Sequence, residues 1–191
     1  FDTDTMNLRP LYQVADWIHP EQMAMRKPFR FKASDGLVLD GYLTLPLGKD
    51  PKKLPTILMP HGGPIGIRDG WTYDADAQFL ASRGYAVVQV NYRGSGGRGP
   101  DFEKAGYKHF GDRIQQDLLD GLHWAIDQGY ADQQRLCVYG GSFGGYSSLM
   151  QPIMAPGLYK CAIDYAGVSD WCIGFKSSDT AHTRIGRTYF V

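Results

Sequence analysis

The sequence predicts an α/β fold: a mainly parallel sheet with helices on both faces, begun by an antiparallel hairpin. Two observations lead to this prediction. Short apolar runs rich in β-branched residues alternate with helical patterns through most of the 191 residues, as in proteins with a parallel sheet. Glycine clusters directly follow apolar runs, where an α/β chain turns from a strand toward a helix. These clusters lie at 62–63, 94–99, 140–141 and 144–145.

The first 27 residues show no sustained apolar period, and we interpret 1–27 as a linker arm before one domain at 28–191. The hairpin comes next, because alternating segments at 29–33 and 37–45 flank an Asp-Gly turn at 35–36. Apolar runs predict further strands at 56–59, 85–92, 136–139 and 161–165. Helical spacing of apolar residues predicts helices at 74–83, 112–128 and 145–154.

Charge and hydropathy exclude two classes of partner. The 20 Lys and Arg balance 20 Asp and Glu, so the chain has no basic field of the kind that nucleic-acid-binding proteins use. The longest apolar runs, such as 85–90, are far shorter than the roughly 20 residues that cross a bilayer. We therefore expect neither a nucleic-acid partner nor a membrane span.

The three cysteines, at 137, 161 and 172, are too few and too scattered for a disulfide framework or a zinc site. We expect buried thiols, no metal ion and no cofactor. Buried thiols favour a reducing compartment, and thus the cytoplasm. A periplasmic or secreted location is the alternative, because the sequence begins without an initiator Met.

Residues 140–144 read Gly-Gly-Ser-Phe-Gly and fit G-x-S-x-G, the pattern of a nucleophile elbow. In an elbow, the serine lies on a strained turn between a strand and a helix, with its hydroxyl exposed. The context agrees, because a predicted strand precedes the motif and a predicted helix follows it. Ser142 is therefore the candidate nucleophile, and a glycine-rich turn without catalytic function is the alternative.

The segment His61-Gly62-Gly63-Pro64 follows a predicted buried strand and resembles the glycine-rich oxyanion loop of lipases and esterases. Acyl transfer builds negative charge on the carbonyl oxygen, and each backbone N–H aimed at that charge typically stabilises it by ~3 kcal/mol. The resemblance places the amide of Gly63 opposite that of Phe143 as the oxyanion hole. We expect His61 to shape the loop, and an ordinary turn is the alternative.

Residues 94–99 match G-x-G-x-x-G after a strand, which raises a dinucleotide-binding interpretation. The context argues against it. Pro100 intervenes before any helix, and the acids about 20 residues on, Asp117 and Asp120, fall within a predicted helix instead of at a strand end. We therefore expect no nucleotide cofactor at this loop.

A serine nucleophile needs a base to take its proton and an acid to orient that base. Elbow enzymes place them in the chain order serine, acid, histidine, and His182 is the one histidine downstream of Ser142. The candidate acids are Asp164, Asp170 and Asp179. The polar stretch 177–186 offers no strand to hold a histidine rigidly, so we interpret His182 as a loop residue and keep it, with Asp170, as a secondary triad candidate.

Several motifs in order resemble the prolyl oligopeptidase family of serine peptidases, and most closely its acylaminoacyl-peptidase and dipeptidyl-aminopeptidase-like branch. They are PHGGP at 60–64, NYRGSGG at 91–97, GGSFGGY at 140–146 and AGVSDW at 166–171. The resemblance runs from about Pro28 to the last residue. It implies an α/β-hydrolase fold, with Ser142 as nucleophile and the amides of Gly63 and Phe143 as oxyanion hole.

The same resemblance implies that the sequence is a fragment of a catalytic domain. Family members place a β-propeller before this domain, so residues 1–27 resemble the exit from a propeller that is absent here. Their Asp and His follow two further strands, which puts both beyond Val191 and predicts negligible turnover for this piece alone. Without those strands, the strand at 161–165 would be an exposed edge, where we expect pairing with a second copy or aggregation.

The resemblance implies a serine peptidase that hydrolyses short peptides near their N-terminus, of acylaminoacyl or dipeptidyl type, through an acyl-enzyme on Ser142. Fold and elbow serve many hydrolases, so two alternatives stay open at this point. One is a carboxylic-ester hydrolase with the same elbow. The other is a binding module without catalytic activity.

Overall fold

The computed structural model describes residues 2–10, 12, 15–177, 182–183 and 187–188. These residues form one six-stranded sheet in the order β1-β2-β4-β3-β5-β6. The strands are β1 (Arg26–Lys32), β2 (Val38–Thr44), β3 (Leu54–Leu58), β4 (Ala86–Asn91), β5 (Ala131–Gly141) and β6 (Cys161–Tyr165). The first two strands form an antiparallel hairpin, β2 pairs antiparallel with β4, and the remaining pairs are parallel. The predicted sheet is confirmed.

Helices cover both faces of the sheet. They are α1 (Ala75–Ser82), α2 (Pro100–Lys104), α3 (Arg113–Asp127), α4 (Phe143–Met154) and α5 (Trp171–Ser177), with a 3-10 turn at Pro20–Gln22. Side chains of a strand alternate between faces, and β4 shows it: Val87 packs with Ala77 of α1, while Val88 and Val90 belong to the larger core with α3 and α4. This two-faced packing is the reason that β4 is apolar almost throughout.

The hairpin begins at Arg26, two residues before the predicted domain boundary at 28. The end of the arm is tied to α1, because the Ala24 amide donates to Gln78 Oε1 at 2.8 Å and Gln78 Nε2 donates back to the Ala24 carbonyl at 2.9 Å. The rest of the arm contributes no strand to the sheet among its described residues. Its origin at a propeller stays a prediction.

A buried ion pair joins the loop after β4 to α3. Arg93 donates through Nε and Nη2 to the two carboxylate oxygens of Asp117, at 2.8 and 2.6 Å, and Asp117 is fully buried. Arg93 also reaches Asp35 in the hairpin turn at 2.7 Å. The hydrogen bonds that Arg93 donates to Asp117 raise the pKa of Arg93. A bidentate pair of this kind fixes the loop in one orientation.

The expectation of three buried thiols is wrong. Cys137 of β5 and Cys161 of β6 occupy paired positions in neighbouring strands and form a disulfide, and Cys172 is exposed. Their separation of 24 residues along the chain gives no pattern, whereas the strand register brings them together. Within the described residues, no helix has the length and apolar character needed to cross a membrane.

Candidate active site

Ser142 lies at the turn between β5 and α4, as the elbow pattern predicts. Its backbone has φ 56° and ψ −120°, in the left-handed half of φ space that residues with a side chain rarely adopt. The surrounding backbone holds it there: the Ser142 amide donates to the Tyr165 carbonyl at 2.9 Å, and its carbonyl accepts from the Tyr146 amide at 3.1 Å. The residue is exposed. It thus has the strained, outward-facing geometry of a nucleophile elbow.

Glycine is required at three positions around Ser142, because neighbouring atoms lie too close there for a side chain. A Cβ at Gly144 would overlap the carbonyl oxygen of Pro60, and a Cβ at Gly140 would meet the backbone of Gly144 at 2.5 Å. A Cβ at Gly145 would overlap the carboxylate of Asp164. Side chains at these three positions would push the turn away from the β3 loop and from β6.

The predicted oxyanion loop runs directly past the serine. A Cβ built on Gly62 would lie 3.5 Å from Ser142 Cβ and 4.0 Å from Ser142 Oγ. The next residue, Gly63, has φ 132° and is exposed. Phe143 is the first residue of α4, so its amide belongs to the first turn, which has no acceptor within a helix. Among the described residues, neither the Gly63 nor the Phe143 amide has a hydrogen-bond acceptor.

His61 shapes the loop, as expected. Its Nδ1 lies 2.7 Å from the Gly62 carbonyl and its Nε2 lies 2.9 Å from Ser95 Oγ, while its ring stacks on Tyr92 at 4.2 Å. A proton on Nδ1 satisfies all of these contacts, because that N–H donates to the carbonyl and Nε2 accepts from the serine. Burial lowers the pKa of His61 to about 4, which keeps the ring neutral. Both nitrogens are occupied, so His61 is a positioning residue for the loop.

The glycine loop at 94–99 packs closely on the backbone of residues 66–67. The Gly66 amide donates to the Gly94 carbonyl at 2.9 Å, and the Gly96 amide donates to the Ile67 carbonyl at 3.0 Å. A Cβ at Gly96 would overlap the Gly66 carbonyl. The glycines therefore allow this loop to pack closely on the segment that follows the oxyanion loop.

The secondary triad candidates have other partners. Asp170 Oδ1 accepts from the amides of Cys172 and Ile173 at 2.8 and 3.0 Å, so it caps the start of α5. His182 Nε2 lies 3.1 Å from the Lys176 carbonyl. Asp164 accepts from the Gly167 amide at 2.7 Å, and Asp179 lies outside the described residues. In the described part of the chain, the Ser142 hydroxyl has no hydrogen-bond partner, so the structure brings neither Asp170 nor His182 to it.

A cleft of about 250 Å³ adjoins the elbow on the side of α1. Glycines of the oxyanion loop and the elbow line it, together with three carboxylates and two tyrosines. The lining residues are Met59, Pro60, His61, Gly62, Asp69, Asp74, Asp76, Gln89, Tyr139, Gly140, Gly141 and Tyr165. Burial raises the pKa of Asp69 to about 7. Sequence reasoning missed this cleft, because its acids come from a loop and a helix start that no motif marks.

The carboxylates of the cleft do not form a metal site. Within the described ranges, no group of three or more His, Cys, Asp or Glu is placed to hold a metal ion. Two of the acids have hydrogen-bond donors within the fold: Asp74 caps α1 by accepting from the Ala77 amide at 3.0 Å, and Asp76 accepts from the Tyr139 hydroxyl at 3.0 Å.

The chain is similar in sequence to known peptidases. The chain is 34% identical over 177 residues to dipeptidyl aminopeptidase BIII of Pseudoxanthomonas mexicana, covering 89% of this chain and 26% of that protein. It is 32% identical over 165 residues to dipeptidyl peptidase family member 6 of Caenorhabditis elegans, covering 74% and 22%. The chain thus spans about a quarter of the length of these curated relatives.

A solved structure shares the fold. The acylaminoacyl peptidase of Pyrococcus horikoshii superposes with a TM-score of 0.81 at 31% identity, over 95% of this chain and 30% of that one. This likeness confirms the expected α/β-hydrolase fold. The sequence model of the prolyl oligopeptidase family matches residues 71–188, a segment that includes α1, the elbow and β6. Since the match covers more than half of the chain, the chain belongs to the prolyl oligopeptidase family.

Proposed function

We propose that the protein that carries this chain is a serine peptidase, hydrolysing short peptides near their N-terminus through an acyl-enzyme on Ser142. The geometry of Ser142 is the observation that carries the proposal: an exposed residue on a left-handed turn, with Gly62 of the oxyanion loop so near that a Cβ added there would touch the Ser142 side chain. The dipeptidyl or acylaminoacyl type of substrate is supported by the names of the relatives. Fold alone would not distinguish substrates.

In this mechanism, Ser142 Oγ attacks the carbonyl carbon of the scissile amide while a base takes the hydroxyl proton. The carbonyl oxygen becomes an oxyanion, which the amides of Gly63 and Phe143 would stabilise by ~3 kcal/mol each. The C–N bond then breaks, and the proton passes to the leaving amine. Water hydrolyses the remaining ester and frees Ser142. The base and its acid are not assigned to Asp170 and His182, because both have other partners.

Turnover of matched substrates tests the proposal. The full-length protein that contains this chain should hydrolyse dipeptidyl and acylaminoacyl nitroanilides, and Ser142→Ala should lower kcat by several orders of magnitude. The buried neighbour Ser147 gives a matched control, since Ser147→Ala changes a side chain that the proposed reaction does not touch. Hydrolysis of short nitrophenyl esters without any amide turnover would favour the esterase alternative. If Ser142→Ala retained both amide and ester hydrolysis, the assignment of Ser142 as the nucleophile would be refuted.

We infer an oxidising compartment for the protein. The disulfide between β5 and β6 removes the argument for a reducing one, since structural disulfides persist mainly in secreted and periplasmic proteins. It supports the periplasmic or secreted alternative over the cytoplasm. Alkylation of the unfolded, unreduced protein from its native source should modify Cys172 and leave Cys137 and Cys161 unmodified, and modification of all three positions would restore the cytoplasmic interpretation.

A further inference from the structure

The Gly63 N–H, the proposed oxyanion donor, shares a peptide plane with a carbonyl that His61 holds. The carbonyl of Gly62 and the N–H of Gly63 belong to one trans peptide unit, which is planar and points the two groups in opposite directions. His61 Nδ1 lies 2.7 Å from the Gly62 carbonyl oxygen. A contact that fixes this carbonyl therefore also fixes the direction in which the Gly63 N–H points.

The peptide plane has few other restraints. Both of its residues are glycines, which adopt a wider range of backbone angles than other residues, and Gly63 has φ 132°. Among the described residues, the Gly63 N–H has no acceptor and the Gly62 carbonyl has no donor other than the His61 ring. The hydrogen bond from His61 Nδ1 is thus the contact that sets the plane, provided that Nδ1 carries the proton.

Ser95 favours the form of His61 with the proton on Nδ1. Ser95 is fully buried, and its Oγ lies 2.9 Å from His61 Nε2, which is its one side-chain partner in the described part of the chain. With the proton on Nδ1, the hydroxyl of Ser95 donates to Nε2. With the proton on Nε2, the hydroxyl could only accept, and its own hydrogen would be buried without an acceptor, which is costly.

Tyr92 and the Gly62 carbonyl favour the same form. The Tyr92 hydroxyl donates to the His61 carbonyl at 3.0 Å and lies 3.0 Å from Nδ1. Without a proton, Nδ1 would face the Gly62 oxygen with a lone pair at 2.7 Å, and two acceptors would compete for the one hydrogen of Tyr92. Burial lowers the pKa of His61 to about 4, so the ring is neutral and carries one proton near pH 7.

We propose that Ser95 is a positioning residue for the oxyanion hole: by donating to His61 Nε2, it keeps the proton on Nδ1 and so aims the Gly63 N–H toward the developing oxyanion. This inference rests on the proposed function, because it assigns Ser95 to the same reaction. Ser95 itself does not touch the substrate and acts through His61, which lies 34 residues earlier in the chain. The glycine-rich loop at 94–99 thereby gains a part in catalysis, since it carries Ser95.

Kinetics of Ser95→Ala test this role in the full-length protein that contains the chain. The substitution removes one hydroxyl, and kcat for a nitroanilide should fall by about 10- to 100-fold, less than the roughly 100- to 1,000-fold cost of deleting an oxyanion donor. KM should change by less than about twofold, because the oxyanion forms only after the substrate has bound. Ser147→Ala, at an equally buried serine, is the matched control and should change neither constant.

His61→Asn separates the choice of nitrogen from packing. The amide nitrogen of asparagine can take the place of Nδ1, and it is a donor in every state, so no proton position remains for Ser95 to select. In the His61→Asn protein, Ser95→Ala should therefore change kcat by less than about twofold. An equal loss of kcat in both backgrounds, or no loss in the protein that retains His61, would overturn the inference.

Nitrogen NMR of histidine rings labelled with ¹⁵N reads the proton position without catalysis. In the full-length Ser142→Ala protein, the signal that His61→Asn removes should show the proton on Nδ1, and adding Ser95→Ala should populate the form with the proton on Nε2. A proton on Nε2 while Ser95 is present, or no change when Ser95 is removed, would overturn the inference. If Ser142→Ala retained turnover while the proton position still depended on Ser95, the proposed function would fail and the control of His61 by Ser95 would stand.

Discussion

Asp69→Asn should stabilise the protein at pH 8 and leave its stability nearly unchanged at pH 4. Asp69 is half-buried as a residue, but its Oδ2 is buried and unpartnered, and desolvation raises its pKa from 3.8 to about 7. The folded state therefore favours the protonated acid. The stability that this preference gives is fully present below pH 3.8 and is lost as the pH rises through 7. Asparagine is neutral at every pH and avoids this loss.

The magnitude follows from the shift. A rise from 3.8 to about 7 is about 3 pKa units, and each unit corresponds to 1.36 kcal/mol, so the ionised carboxylate costs about 4 kcal/mol of folding free energy above pH 7. For a chain of this size, 1 kcal/mol shifts the melting temperature by about 2–4 °C. The expected gain for Asp69→Asn at pH 8 is thus about 10 °C.

Scanning calorimetry at pH 4 and pH 8 measures this difference. Asp101→Asn, which removes the same charge from an exposed site, should move the melting temperature by little at either pH. An Asp69→Asn protein no more stable than wild type at pH 8 would refute the reasoning. A gain of equal size at both pH values would also contradict it, because the cause would then be packing and not ionisation.

Three other substitutions or measurements follow from the structure. Gly144→Ala should destabilise the protein by about 1–3 kcal/mol in urea titrations, because the added Cβ would overlap the Pro60 carbonyl. Gly70→Ala is the control and should be tolerated, since its added Cβ would lie 3.8 Å from the nearest atom. Asp170→Ala should cost about 1 kcal/mol through the lost cap of α5, and a loss of turnover by several orders of magnitude would instead restore Asp170 as the triad acid. Light scattering of the 191-residue chain should detect dimers or aggregates, because among the described strands β6 pairs only with β5, and all five of its residues are exposed. A monodisperse monomer would contradict this expectation.

The sequence predicted the fold where the physical signal is local. Apolar alternation and Gly84, which has φ 95° just after α1, marked strands and helix ends correctly. The prediction started β5 at 136, whereas the strand begins at Ala131, because residues 132–135 are polar and lie at the exposed start of the strand. The five-residue helix α2 was missed, since it is too short to show a period.

Features that depend on the register between strands could not be predicted from the sequence. Nothing local marks Cys137 and Cys161 as partners, and only the parallel pairing of β5 with β6 brings them together. Asp69 looks like an ordinary loop acid in the sequence, yet its Oδ2 is buried and desolvation raises its pKa. The elbow could be predicted, because strand, glycine, serine and helix are consecutive and one short segment determines the strained turn.

Covalent labelling at Ser142 tests the central claim most directly. A fluorophosphonate should modify the longest natural protein that contains this chain, and after reduction and trypsin digestion the label should lie in the peptide at 136–160. That peptide also contains Ser147 and Ser148, both fully buried, so fragment ions locate the adduct. The account predicts an adduct on Ser142 that is absent from Ser142→Ala. A folded protein that takes no label, or takes it at another residue, would contradict the account.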